Sequence, residues 1–144
     1  MEKTQIRVVL VDDHQMVRET WRLILERDKR IVVIGECCSG TEAIDSAINA
    51  KPDIMLMDIN MSPVNGFEAT RKIIRCCPEV KIIGVSVNNQ PGYARNMLQL
   101  GAKGFVTKNS PQEEMMKAIF EVNKGRIYIC DEVREKMDGP PNQQ

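Results

Sequence analysis

The stretch Ile6-Arg7-Val8-Val9-Leu10-Val11-Asp12-Asp13 decides how the rest of the chain is read. An apolar run broken only by Arg7 stops abruptly at two acids. Continuous apolar runs of this length suit parallel strands buried on both faces. Four further runs follow at Ile31 to Ile34, Ile54 to Met57, Val80 to Val87 and, more briefly, Gly104 to Val106. Helical periods lie between and after them. Val17, Trp21, Ile24 and Leu25 share one face of a first helix, and Ile44, Ala47 and Ile48 do so in a second. Phe67, Thr70, Ile73 and Ile74 mark a third, Ala94, Met97 and Leu98 a fourth, and Met115, Ile119 and Val122 a fifth. Ser39-Gly40-Thr41-Glu42 and Ser110-Pro111-Gln112-Glu113 each read as a capping box, and Gly125 reads as a helix stop.

Five strand–helix units in succession predict α/β architecture: a flavodoxin-like, doubly wound, five-stranded parallel sheet of order 2-1-3-4-5 with five helices. The 144-residue length suits one such domain, whereas an eight-unit barrel needs about 250 residues. Ile127 to Cys130 reads as extended, Asp131 to Met137 as a short helix, and Asp138 to Gln144 as linker. The expected division is therefore a domain over 1–126 and an extension over 127–144.

Composition excludes several functions. With 20 basic and 20 acidic residues the formal net charge is 0, which argues against strong non-specific attraction to nucleic acid. No apolar run approaches the roughly 18 residues of a membrane span, and Met1-Glu2-Lys3-Thr4 does not open a secretory signal, so a cytoplasmic location is expected. The five cysteines, Cys37, Cys38, Cys76, Cys77 and Cys130, are odd in number and lack CxxC spacing; they read as reduced thiols.

The polar residues then fall into a pattern. Asp12 and Asp13 close the first strand, Asp58 the third and Ser86 the fourth, and Lys108 follows the fifth. All sit at carboxyl ends of strands, where open α/β sheets bind ligands at the point of strand-order reversal. Three carboxylates gathered there repel one another, and a divalent cation relieves that repulsion; oxygen-only ligands point to Mg²⁺ or Mn²⁺. Asp58 is then the candidate nucleophile for a phosphoryl group, Lys108 a positive charge for a phosphoryl oxygen, and Ser86 a hydrogen-bonding hydroxyl. His14 reads as a surface or first-turn residue.

These residues, in the settings Val-Asp12-Asp13-His, Asp58-Ile-Asn-Met-Ser-Pro-Val-Asn-Gly66, Gly-Val-Ser86 and Gly-Phe105-Val-Thr-Lys108, resemble the CheY-like receiver domains of two-component response regulators over about residues 5 to 125. The resemblance implies that Asp13, Asp58 and the main-chain carbonyl of Asn60 bind Mg²⁺, with Asp12 acting through a metal-bound water. It implies further that a sensor histidine kinase phosphorylates Asp58, and that Ser86 and Phe105 form a switch pair in which Phe105 rotates inward. The run Gly101 to Lys108, with Ser110 to Ile119 and Gly125 to Tyr128, is similar to the NarL/FixJ (LuxR-type) subfamily. That likeness implies DNA binding through a helix-turn-helix domain outside this chain; phosphorylation is expected to change either homodimerisation or contact with such a domain through the face of the fourth helix, fifth strand and fifth helix. Ser62, Val87 and Asn109 depart from the family's usual residues, and the bulk of Val87 is expected to narrow access to the phosphate. A haloacid-dehalogenase-type phosphatase would need an acid at position 60, where Asn60 stands. A flavodoxin would need a phosphate cradle where Asp12 and Asp13 stand. A binding module never phosphorylated would not need the complete set of acids, Ser86 and Lys108.

Overall fold

The computed structural model describes residues 5–138. In chain order the elements are β1 (Ile6–Val11), α1 (Gln15–Leu25), β2 (Ile31–Cys37), α2 (Gly40–Ala50), β3 (Ile54–Asp58) and α3 (Gly66–Cys76). They continue with β4 (Lys81–Ser86), α4 (Pro91–Gln99), β5 (Gly104–Thr107), α5 (Gln112–Asn123), β6 (Tyr128–Ile129) and α6 (Asp131–Met137). The strands form one sheet in the order β2-β1-β3-β4-β5-β6, every pairing parallel.

The expected order 2-1-3-4-5 is present, and a sixth strand and sixth helix extend it. β6 is too short to announce itself by pattern. It is placed by two backbone bonds, Tyr128 N–H to the Lys103 carbonyl and Cys130 N–H to the Phe105 carbonyl. α6 is then pinned by buried Cys130 and Val133. The extended and helical readings of 127–137 thus hold, and the segment packs on the sheet edge instead of trailing from it. The expected linker falls, beyond Asp138, outside the described residues.

Burial explains why these runs are strands. Val8, Val9, Ile54, Met55, Met57, Ile82 and Ile83 are fully buried, as befits central strands covered on both faces. The helices supply single apolar stripes: Ala43 and Ala47 from α2, Ile73 from α3, Met97 from α4, and Met115, Ile119 and Val122 from α5. Gly125, at φ +90, ends the α5 region as expected. Ser39 caps α2 by accepting from the Glu42 N–H, but Glu42 reaches back to the N–H of Cys38 and not of Ser39. The second capping box does not form. Pro111 takes the cap position of α5, and Ser110 Oγ accepts from the Thr107 N–H instead.

Among the described residues no helix is long and apolar enough to cross a membrane.

Candidate phosphoacceptor site

The two acids that end β1 take different positions. Asp12 is buried and Asp13 exposed, because alternate residues leave a strand end on opposite sides. The Asp12 main chain is fixed twice: its N–H donates to the Cys37 carbonyl and its carbonyl accepts from Arg18. Arg18 is itself held by Glu36 at 3.1 Å. Asp58, at the end of neighbouring β3, is only 2% exposed. The Asn60 N–H donates to its Oδ1 at 2.9 Å, while Oδ2 is buried without a hydrogen-bond partner.

Gly66 lets this loop close. A Cβ there would lie 2.5 Å from the Asp58 carbonyl oxygen and 2.5 Å from the Ile59 Cα, so the start of α3 rests directly on the backbone that carries Asp58. The intervening loop contains a cis peptide bond between Ser62 and Pro63.

Lys108 reaches across from the end of β5. Its Nζ lies 2.9 Å from Asp12 Oδ2 and 3.6 Å from Asp58 Oδ2. Burial draws the lysine pKa down, but the Asp12 hydrogen bond and the Asp58 and Asp12 charges outweigh it, and the net shift is upward. The ammonium therefore stays charged. Asp58 is pushed above the ordinary carboxylate range, first by burial and then by the Asp12 charge, against the lowering effects of the Asn60 N–H and Lys108.

Ligand atoms of Asp12, Asp13, His14 and Asp58 lie within 4.8 Å of one another. The three acids expected at the metal site thus come together. Asn60 is exposed beside them, its N–H already engaged with Asp58. The donor set fits a hard cation: carboxylate oxygens converge, and Asp58 Oδ2 lacks a partner that a cation would supply. His14 is an exposed residue at the start of the first helix, as expected. It occupies the N-cap position of α1, and its Nδ1 sits 3.1 Å from Asp12 Oδ1 and 2.9 Å from Asp13 Oδ1. With its side chain 67% exposed, it can swing out to solvent.

Ser86 ends β4 one residue beyond Val85, the register partner of Asp58. Its hydroxyl is buried and accepts from the Asn88 N–H at 2.9 Å. Phe105 is fully buried, its ring against the face of Gly84. Val87 is 64% exposed and sends most of its surface to solvent. Arg18 and Glu36 carry no motif signal of their own; only the fold shows that they position Asp12.

A doubly wound parallel sheet, with acids gathered at its switch point and a lysine pairing with them, defines a receiver-type α/β protein. The chain belongs to the response regulator receiver domain family, which matches residues 8–120. It is 39% identical over 132 residues to the response regulator UvrY of Escherichia coli K12, an alignment covering 92% of this chain and 61% of UvrY. The fold is similar to a LuxR-family two-component response regulator from Aurantimonas sp. SI85-9A1, with TM-score 0.88, 31% identity, and coverage of 91% of this chain and 94% of that one. It is also similar to the RcsB response regulator of Salmonella typhimurium, solved for its conformational dynamism in DNA interaction. There the TM-score is 0.84 at 26% identity, over 94% of this chain and 68% of that one. The chain thus spans less than two thirds of the length of its curated relative. It is a receiver domain of the two-component response regulator type, of the NarL/FixJ kind.

Proposed function

We propose that Asp58 accepts a phosphoryl group from a sensor histidine kinase, and that the resulting acyl phosphate changes how the receiver engages its partners. The observation that carries this reading is the state of Asp58 Oδ2: buried, without a hydrogen-bond partner, and 3.6 Å from the Lys108 ammonium. A carboxylate oxygen so placed is poised to attack phosphorus, with the donor histidine departing as leaving group. Lys108 holds a phosphoryl oxygen as negative charge moves onto the acceptor. Ser86 hydrogen-bonds a second phosphoryl oxygen, and Phe105 packs behind it as the switch partner. Asp12, Asp13, Asp58 and the Asn60 carbonyl would hold Mg²⁺ or Mn²⁺, with Asp12 acting through a bound water. When bound, the cation offsets the charge of the phosphoryl oxygens. His14 would have to leave Asp12 and Asp13 for a cation to reach their oxygens.

The role is that of a phosphoacceptor, not a turnover enzyme. Asn60 supports this, because its contribution to Asp58 is a main-chain N–H and it has no carboxyl to shuttle protons to a leaving group. By likeness to UvrY and RcsB, the whole protein would be a cytoplasmic regulator of transcription. Residues 1–126 would act as its receiver, and 127–144 would lead toward a helix-turn-helix domain that binds DNA, with dimerisation of the receiver as the intermediate step.

The test is incubation with Mg²⁺ and acetyl phosphate followed by intact-mass measurement. One labile phosphoryl adduct is expected, absent in Asp58→Asn and absent when Mg²⁺ is chelated. An adduct of equal yield in Asp58→Asn would refute the assignment.

A further inference from the structure

α6 lies far from the acids in sequence, yet it grips the two segments that carry Ser86 and Lys108. Glu132 Oε2 accepts from Asn89 Nδ2 at 2.6 Å, and Glu132 Oε1 accepts from the Thr107 hydroxyl at 2.8 Å. Lys136 Nζ donates to Asn89 Oδ1 at 2.9 Å. Both ends of the Asn89 amide are therefore held by α6. Thr107 is fully buried and immediately precedes Lys108; Asn89 stands three residues beyond Ser86. The Asn89 and Thr107 hydrogen bonds hold the Glu132 carboxyl below its usual pKa, so it engages both as a carboxylate.

Strand order gives these contacts a direction. Asp58 ends β3, on one side of β4, whereas α6 packs against α4 and β5, and β5 lies on the other side. The β4–α4 loop is tied to the Ser86 hydroxyl, because the Asn88 N–H donates to it. A Ser86 hydroxyl drawn toward a phosphoryl group on Asp58 would therefore draw Asn89 away from Glu132 and Lys136.

The geometry points to Glu132 as a positioning residue that tethers the β4–α4 loop on the side opposite Asp58, so that docking of α6 and occupancy of the acceptor site oppose each other. This rests on the reading of Asp58 and Ser86 given above. Because the coupling is reciprocal, a filled site loosens α6 to the same degree that a docked α6 weakens filling of the site. The last described helix of the chain then reports the state of Asp58 to whatever follows it.

The test uses the full chain with Mg²⁺ and beryllofluoride, a stable mimic of the phosphoryl group. Two readouts are taken: hydrogen exchange of the amides of residues 131–137, and the beryllofluoride concentration needed for half-maximal change at the Asp58 and Ser86 amides. Wild type should show faster exchange in α6 once the site is filled. Glu132→Ala should bind beryllofluoride about five-fold more tightly or better, and Glu132→Asp should fall between the two. Lys136→Ala, at an exposed position, repeats the test should Glu132→Ala fold poorly, and should also tighten binding. Unchanged α6 exchange together with unchanged affinity in the variants, while Asp58 and Ser86 respond normally, overturns the tether alone. No response at Asp58 or Ser86 overturns the receiver-site reading and the tether with it.

Discussion

At the scale of single residues the site is a balance of like charges held by one lysine. Burial and the Asp12 charge raise the Asp58 pKa, so the folded chain holds that proton more tightly than the unfolded chain. Between the ordinary carboxylate pKa and the raised one, the folded state binds more protons, and stability falls as pH rises through that window. Ionised Asp58 is thus a net cost at neutral pH. In metal-free buffer Asp58→Asn should raise the melting temperature at pH 7 by a few degrees, equivalent to roughly 1 kcal/mol. The gain should vanish in acid, where Asp58 is protonated in both states. Calorimetry at the two pH values checks this, and an unchanged or lower melting temperature at pH 7 would count against it. In the proposed reaction Lys108 would act on the transition state, not on the substrate alone. Lys108→Ala should slow phosphorylation by acetyl phosphate by about 10²-fold, as followed by mass over time; a rate within a few-fold of wild type would remove Lys108 from the chemistry.

Elements, not motifs, hold those residues still. Arg18 and Arg22 of α1 both pair with Glu36 of β2, at 3.1 and 2.7 Å, and Arg18 also grips the Asp12 carbonyl. The Arg22 hydrogen bond, opposed by burial and helped by Arg18, holds the Glu36 carboxyl below its usual pKa. Its stabilisation is therefore present above the ordinary carboxylate range and lost as pH falls through the lowered pKa. Glu36→Gln should cost about 1 kcal/mol near neutral pH, and denaturant titration should show that difference shrink in acid. Gly66→Ala drives a methyl into the backbone of Asp58 and Ile59; it should cost about 2–4 kcal/mol and shift the Asp58 amide resonance, whereas wild-type stability would contradict the close approach. These elements were unevenly legible. The strands from β1 to β5 announced themselves because buried parallel strands are apolar throughout, and the acids stood out because each run ended on one. β6 escaped the count of strands because two residues carry no period. Ser110 does not cap α5 because its hydroxyl turns back to the Thr107 N–H three residues earlier, which leaves Pro111 at the cap position. Arg18, Glu36 and Glu132 were invisible because each acts on a residue that only folding brings near.

Across the whole molecule the sheet works as a rigid frame that delivers loops from β1, β3, β4 and β5 to one edge. The same frame carries a peripheral extension, β6 and α6, whose polar side chains reach back to that edge. Through the tether inferred above, a change at Asp58 would be felt at α6. Adding Mg²⁺ should raise the melting temperature of the wild type by neutralising the acids, and should do so less for Asp13→Asn; equal shifts would remove Asp13 from the metal site. The central claim, that the buried Asp58 oxygen is the acceptor, is tested most directly by reductive trapping. The protein is incubated with Mg²⁺ and acetyl phosphate, treated with borohydride to convert any acyl phosphate to an alcohol, and mapped by peptide mass. The account predicts homoserine at position 58 alone, and none when Mg²⁺ is chelated. Homoserine at Asp12, Asp13 or another carboxylate, with position 58 unmodified, would contradict it.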